Sequence, residues 1–177
     1  PDHPSPGAGA IGTELARLHA AGIRRVLTGA LHEAELGPFL ANGFQEHERL
    51  HLLRHDLVRI PEAAGDVRLR RAWRRDLAPV LEIDARAFDE FWALDRRGLD
   101  DAIRATPVAR FRVTGALGQP IGGYAVTGRA ADRGYLQRLA VDPEHHREGI
   151  GRALVADALG WLRRRGARVA MVNTQER

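Results

Sequence analysis

The chain predicts an α/β fold in which a strand, two helices, three strands, a helix and a strand follow one another between residues 66 and 177, after an α-β-α-β segment. Three observations carry that order. A short apolar run ending in Leu139-Ala140-Val141 meets a proline turn at Asp142-Pro143 and then a glycine-spaced loop, His146-Arg147-Glu148-Gly149-Ile150-Gly151-Arg152. Beyond the loop, Leu154, Val155, Ala158, Leu159 and Leu162 share one face while Arg152, Asp157, Arg163 and Arg164 lie off it, the period of an amphipathic helix. Upstream, Leu117-Gly118-Gln119-Pro120 breaks two strand-like runs and marks a hairpin.

Taken in order, Val67 to Ala72 reads as a strand, Arg74 to Phe88 as a helix, and Arg97 to Ala105 as a second helix stopped by Pro107. Strands follow at Ala109 to Gly115, Pro120 to Gly128 and Gly134 to Val141. The amphipathic helix closes on Arg163-Arg164-Arg165 and Gly166, cations that suit the negative end of the helix dipole and a glycine free to adopt the left-handed cap. Ala167 to Val172 is the next strand. Before the linker, residues 9 to 21 read as a helix, Ile23 to Thr28 as a strand, Glu33 to Asn42 as a helix and Phe44 to Leu57 as mostly extended.

Strand, glycine loop and helix together place unpaired helix N-terminal N–H groups at a strand end, an arrangement suited to phosphate. Three designs share it. A nucleotide-triphosphate loop needs Gly-Lys-Ser/Thr where this chain has Gly151-Arg152-Ala153. A dinucleotide fold needs a third glycine where Leu154 stands and an acid about 20 residues on, where the next strand ends near Asn173. The third design is a loop of the form Gln/Arg-x-x-Gly-x-Gly/Ala after a strand ending in Val-x-Pro, and Val141-Asp142-Pro143, Gly149 and Gly151 match it.

By these residues, segment 66–177 resembles the GCN5-related N-acetyltransferase (GNAT) family, with one departure: His146, followed by Arg147, stands where the family has Gln or Arg. The resemblance implies a mixed, mostly antiparallel central sheet flanked by helices. It implies acetyl-CoA as cosubstrate, held by Leu139, Ala140, Val141, His146, Arg147, Glu148, Gly149, Ile150, Gly151, Arg152 and Asn173. A bulge in the family's fourth strand separates it from the fifth, admits the pantetheine arm and presents a backbone N–H to the developing oxyanion. The implied reaction is direct attack of a primary amine on the thioester. Such an amine is mostly protonated at neutral pH, so a base or water chain must take its proton first. Tyr135 and Glu82 are the candidates for handling it, with Asp84 beside Glu82 on the first helix. The tyrosine acid usual in the family would fall beyond Arg177.

Acceptor choice is expected to rest on Phe88-Asp89-Glu90-Phe91-Trp92-Ala93-Leu94-Asp95, between the two early helices. A small-molecule or peptide amine is the expected partner. A CoA-binding regulator without catalysis is the alternative from another class.

The amino-terminal segment carries a fainter echo. Phe39-Leu40-Ala41-Asn42-Gly43-Phe44 resembles the family's closing Tyr-x-x-x-Gly-Phe, with Phe39 in place of tyrosine. Residues 1–58 are therefore read as the degenerate carboxy-terminal half of a GNAT-like unit, 59–65 as a linker, and 66–177 as an acetyltransferase domain lacking its last helix and strands. The first residue, Pro1, and the stop at Arg177 suggest a window on a longer tandem protein. The apolar pattern of Leu15, Leu18, Val26, Leu36, Leu40 and Phe44 suits packing against the catalytic domain or a second copy in a homodimer.

His47-Glu48-Arg49-Leu50-His51 matches the H-E-x-x-H of zinc peptidases, which on a helix would bind metal through both histidines. Here it follows Gly43-Phe44 where a strand is expected, and residues four apart on a strand lie about 13 Å from each other, too far for one ion. No metal is expected. The chain has no cysteine, which excludes disulfides and thiolate chemistry, and no membrane span or signal peptide is visible. The expected compartment is the cytoplasm. The net charge of +4 comes from scattered arginines that do not interleave with aromatics, which argues against nucleic acid.

Overall fold

The computed structural model describes residues 6–62 and 66–175. They divide into two compact bodies, one reaching up to His51 and joined by Gln175, the other Leu52–Thr174. The expected linker falls partly outside the described residues, at 63–65.

In the smaller body, helix α1 (Ala8–Ala20) is followed by a single helical turn and the short α2 (Leu36–Leu40). Asn42 ties them together, its amide donating to the Ala8 and Pro38 carbonyls at 2.9 and 2.8 Å. Phe39 and Phe44 stack edge to face at 5.3 Å. The expected strand Ile23 to Thr28 is not formed. The run has no clean alternation, since Arg24 and Arg25 are adjacent, and a strand needs a neighbour for its ladder; Ile23 and Leu27 stay 43% and 58% exposed. The α-β-α-β reading of this segment therefore loses its first strand. The H-E-x-x-H residues run through irregular backbone into strand β1 (Leu50–His55), so His47 and His51 share no helical face.

The larger body is built on a six-stranded sheet in the order β1-β6-β5-β4-β3-β2. Its members besides β1 are β2 (Leu69–Arg71), β3 (Val108–Thr114), β4 (Gly123–Ala130), β5 (Arg133–Val141) and β6 (Val169–Gln175). β2 to β5 pair antiparallel in a meander, and β5 to β6 is parallel. The parallel step needs a crossover, supplied by helix α5 (Ile150–Arg164).

Helices α3 (Leu77–Ala87) and α4 (Arg96–Arg104) pack on the opposite face from α5. Val80 and Ile83 of α3 and Leu99 of α4 meet Val113, Tyr124, Val126 and Ala140 of the sheet. On the α5 side, Ile150 and Leu154 cover Ala125, Leu139 and Val141. A second patch there joins Leu159, Trp161 and Leu162 to Ala167, Ala170 and Leu57, so the chain just before the expected linker is pinned to the core. α3 begins where it does because Asp76 accepts from the Trp73 N–H at 2.7 Å and a two-pronged bond from Arg70. That guanidinium holds the Asp76 carboxyl below the usual range.

Candidate functional site

The sheet opens at β5. Ladder pairing with β6 covers Arg133, Gly134 and Tyr135, opposite Val169, Ala170 and Met171, and stops there. On the other edge β5 stays paired with β4 to Val141, but the register slips by one residue between Val126, opposite Arg138, and Thr127, opposite Leu136. Gln137 is the extra residue of a β-bulge, which bends β5 away from its parallel neighbour. From Leu136 onward the two strands splay.

The bulge also puts two consecutive side chains on one face. Gln137 approaches Gly128 and Thr106, while Arg138 reaches α3. Arg138 donates twice to Asp84, both bonds at 2.7 Å, and once to the Trp92 carbonyl at 2.7 Å, with its guanidinium 3.5 Å over the Phe88 ring. Asp84 has no solvent exposure. It also accepts the Tyr124 hydroxyl and, at 2.6 Å, the Leu94 N–H. Burial, then the hydrogen bond to Asp84, pushes the Tyr124 phenol far above its usual range. A buried charge must be paired and hydrogen-bonded, and here every carboxylate oxygen is. The cluster fastens the 88–94 segment to the strand residue next to the bulge.

At the mouth of the splay lies the glycine-spaced loop between β5 and α5. Val141 leads into a helical turn at Pro143–His145, and Asp142 opens it by accepting the Glu144 N–H. Asp142 also takes a 2.5 Å bond from Arg86 of α3, which holds its carboxyl below the usual range against the opposing effect of burial. His146 Nε2 lies 3.3 Å from the Val141 carbonyl; since a carbonyl can only accept, that nitrogen carries the hydrogen. Arg147 and Gly149 take left-handed backbone, φ 69° and 81°. The loop presses onto Gly122 and Gly123, where a Cβ would come within 2.9 Å of Ile150 side-chain atoms.

Two features make the loop fit a phosphate. Among the described residues the first backbone bond of α5 is from the Ala153 N–H to the Gly149 carbonyl at 2.9 Å, so the N–H groups of Ile150, Gly151 and Arg152 are left over by the helix. At Gly151 an added Cβ would meet only Val141 Cγ2, at 3.6 Å, an ordinary contact. The protein's own packing does not require glycine there. Nearby, the Arg152 guanidinium donates to the Glu62 carbonyl at 3.1 Å.

On the α4 side of the splay lies a cavity of about 510 Å³ whose lining includes Thr106, Tyr135, Leu136, Gln137, Met171 and Asn173. Of the sequence candidates, Tyr135 and Asn173 meet here. Leu139 and Val141 face α5, Ala140 is buried in the α3 core, and His146 to Arg152 form the loop. Glu82 is exposed on α3 and lines neither this cavity nor the loop. Asp84 is sealed in the core. Of the 88–95 segment, Phe88 and Leu94 are partly buried against the core and Phe91 stacks on Trp92. Sequence reading missed Arg138 and Gln137. Arg138 had a signal, a cation inside the apolar run Leu136 to Val141; Gln137 had none, because a bulge changes register rather than residue type.

The antiparallel meander, the parallel β5–β6 pair that splays beyond Tyr135 and the glycine-spaced loop ahead of α5 define the fold, and the sequence comparison assigns its class. The profile described as the Acetyltransferase (GNAT) family matches residues 69–177. The chain belongs to that family.

Among solved structures it is similar to an acetyltransferase from Trypanosoma brucei, with a TM-score of 0.51 and 22% identity over 63% of this chain and 84% of that one. The ribosomal-protein-S18-alanine N-acetyltransferase from Escherichia coli gives 0.50 and 22% over 58% of this chain and 63% of that one, so the match spans less than two thirds of that enzyme. AAC(6')-Iy, in complex with the bisubstrate analogue CoA-S-monomethyl-acetylneamine, gives 0.50 and 16% over 63% and 81%. These likenesses are of fold. No curated protein matches.

Proposed function

We propose that this chain binds acetyl-CoA and transfers its acetyl group to a primary amine by direct attack. The observation that carries the reading is the conjunction at the splay: leftover N–H groups of Ile150, Gly151 and Arg152 at the mouth, a glycine the protein does not need at 151, and a bulge at Gln137 that opens the sheet behind them. The AAC(6')-Iy structure, which shares the fold, holds a CoA-derived ligand.

When bound, acetyl-CoA supplies a thioester whose C–S bond breaks as the C–N bond to the acceptor forms. The loop amides of 149–152 bind phosphate, and the unpaired edge of β5 from Leu136 to Val141 offers main-chain donors to the acyl arm and the oxyanion. Gln137, Thr106 and Asn173 supply polar groups around the acceptor amine, and the Tyr135 phenol relays its proton to water. The residue serving as base, if one acts without water, is Tyr135 rather than Glu82. The amino-terminal segment remains, in this reading, the degenerate half of a second GNAT unit.

Isothermal titration of the full chain with acetyl-CoA and with CoA tests the proposal. One-to-one binding is expected for both; absence of heat and of any thermal shift with either ligand would discard it.

A further inference from the structure

The acceptor cavity does not end at Tyr135. It shares Leu52 and Met171 with a second cavity, of about 630 Å³, whose other lining residues are Arg54, Asp132, Arg133, Arg168 and Val169. The strand registers explain the continuity. Arg133 and Tyr135 are two apart on β5 and pair with Val169 and Met171 of β6, so all four side chains fall on one face, and Leu52 and Arg54 are likewise two apart on β1. Gln137, the bulge residue, lies on the same face of β5. The result is a trough floored by three strands, uncharged and largely apolar at the splay and basic at the far end.

At the basic end the backbone is tied down, and the exposed arginine side chains are under-neutralised. The Arg168 N–H donates to the Asp132 carbonyl at 2.7 Å, which ties the start of β6 to the β4–β5 turn. Among the described residues Arg54, Arg133 and Arg168 have no ion pair, and Asp132 is the single acid lining that cavity. Three guanidinium groups against one carboxylate leave a cavity of net positive charge, which repels a polyamine and attracts a carboxylate or phosphate. Gln137 lies four residue steps from Arg133 on β5, about 13 Å along an extended strand.

The geometry points to an acceptor that carries an anionic group, carboxylate or phosphate, several bonds away from the amine, with Arg54, Arg133 and Arg168 as its receptor and the amine at the Tyr135–Gln137 end. This rests on the proposed acetyl transfer for the identity of the amine end. It narrows the acceptor class to amino acids, peptides with a nearby carboxylate, and phosphorylated amines, and it disfavours polycations.

The test uses the full chain with CoA present and three probes with five methylenes between the amine and the terminal group: hexylamine, 6-aminohexanoate and 5-aminopentylphosphonate. Titration calorimetry reads binding, and release of free thiol from acetyl-CoA reads turnover. Each anionic probe is expected to bind at least about tenfold more tightly than hexylamine, the worth of one charge-assisted contact. The ratio of the two anionic probes separates a carboxylate from a phosphate preference. In Arg133→Gln and Arg168→Gln that preference over hexylamine should collapse toward one, with Arg54→Gln giving a partial loss. Equal binding of the three probes, no binding of any, or a preference that survives all three substitutions would overturn the inference. CoA titration on the same protein keeps the two readings apart: CoA binding without an anion preference removes only this inference, and failure of CoA to bind removes the proposed function.

Discussion

Arg138 of β5 and Asp84 of α3 form a two-pronged ion pair, both bonds 2.7 Å, in which the carboxylate is wholly buried and the guanidinium side chain only 12% exposed. The pair stands one residue from the bulge that opens the sheet. Removing one partner strands the other without compensation, so Asp84→Ala should lower unfolding free energy by about 3–5 kcal/mol. It would also orphan the Tyr124 hydroxyl and the Leu94 N–H. The double variant Asp84→Ala, Arg138→Met should lose much less than the two single losses added together, because no buried charge remains. Urea unfolding of the four proteins measures the coupling; additive losses would show that the pair is not a unit.

At the loop, the two glycines should separate under substitution. Gly149 has φ 81°, so Gly149→Ala costs about 1 kcal/mol of stability in addition to any loss of binding. Gly151 is helical, with open contact distance around a Cβ, so Gly151→Ala should fold as well as the parent. Gly151→Val should reduce CoA affinity strongly, since its branched side chain occupies the space above the leftover amides. Calorimetry alongside thermal melting distinguishes the effects, and unimpaired CoA binding by Gly151→Val would place the phosphate elsewhere.

Much of this was legible because it is written locally. The loop, the α5 helix and the β3–β4 hairpin each announce themselves within a dozen residues, through glycine spacing, a 3.6-residue apolar period and a turn sequence. What could not be read is what the fold gathers from afar. Asp84, Tyr124 and Arg138 belong to three separate elements, and neither the polarity of Asp84 nor its place on a helix tells that it is buried. Arg54, Arg133 and Arg168 looked like three members of a scattered arginine composition until the sheet set them around one cavity. The Ile23 to Thr28 run shows the converse error: the β-branched residues Ile23, Val26 and Thr28 favour a strand, and the neighbour that would make it one is not there.

Tyr135 and Glu82 were equal candidates on paper and are not equal in space. Tyr135 lines the cavity at the splay while Glu82 is exposed on α3. Tyr135→Phe should lower kcat for acetyl transfer by about 100-fold, the low end for a positioned proton-transfer group, with the KM for acetyl-CoA little changed. Glu82→Gln should stay close to the parent. Thiol release under saturating acetyl-CoA reads both, and a large loss in Glu82→Gln with none in Tyr135→Phe would reverse the assignment.

The Arg86–Asp142 bond gives the turn between β5 and α5 a defined acid sensitivity. Asp142 has its carboxyl held down first by the Arg86 hydrogen bond, and further by the Glu144 N–H and the positive charge of Arg86. A carboxyl whose folded pKa is depressed stabilises the fold fully above its unfolded value, near 4, and loses that contribution as pH falls through the lower folded value. The melting temperature of the parent should therefore exceed that of Arg86→Ala by a constant amount between about pH 5 and pH 7. The gap should close below about pH 4. A gap that persists to pH 2 would mean that Arg86 acts through packing rather than through the carboxylate.

Leu57 tests whether the chain ahead of residue 59 is a loose tether or part of the core. It is 3% exposed, packs with Leu159, Trp161 and Leu162, and holds this place at φ 61°, a conformation that a leucine adopts only under constraint. Two effects oppose each other on substitution. Leu57→Ala keeps the strained backbone and empties a buried site, so it should cost about 2–4 kcal/mol. Leu57→Gly relieves the strain of about 1–2 kcal/mol while losing the same contacts and adding backbone freedom to the unfolded chain. The glycine variant should therefore be no less stable than the alanine variant, the reverse of their order at an ordinary buried site. Chemical denaturation of the full chain decides it: if both substitutions are neutral, Leu57 is a passive tether, and if alanine proves clearly the more stable, the positive φ carries no strain.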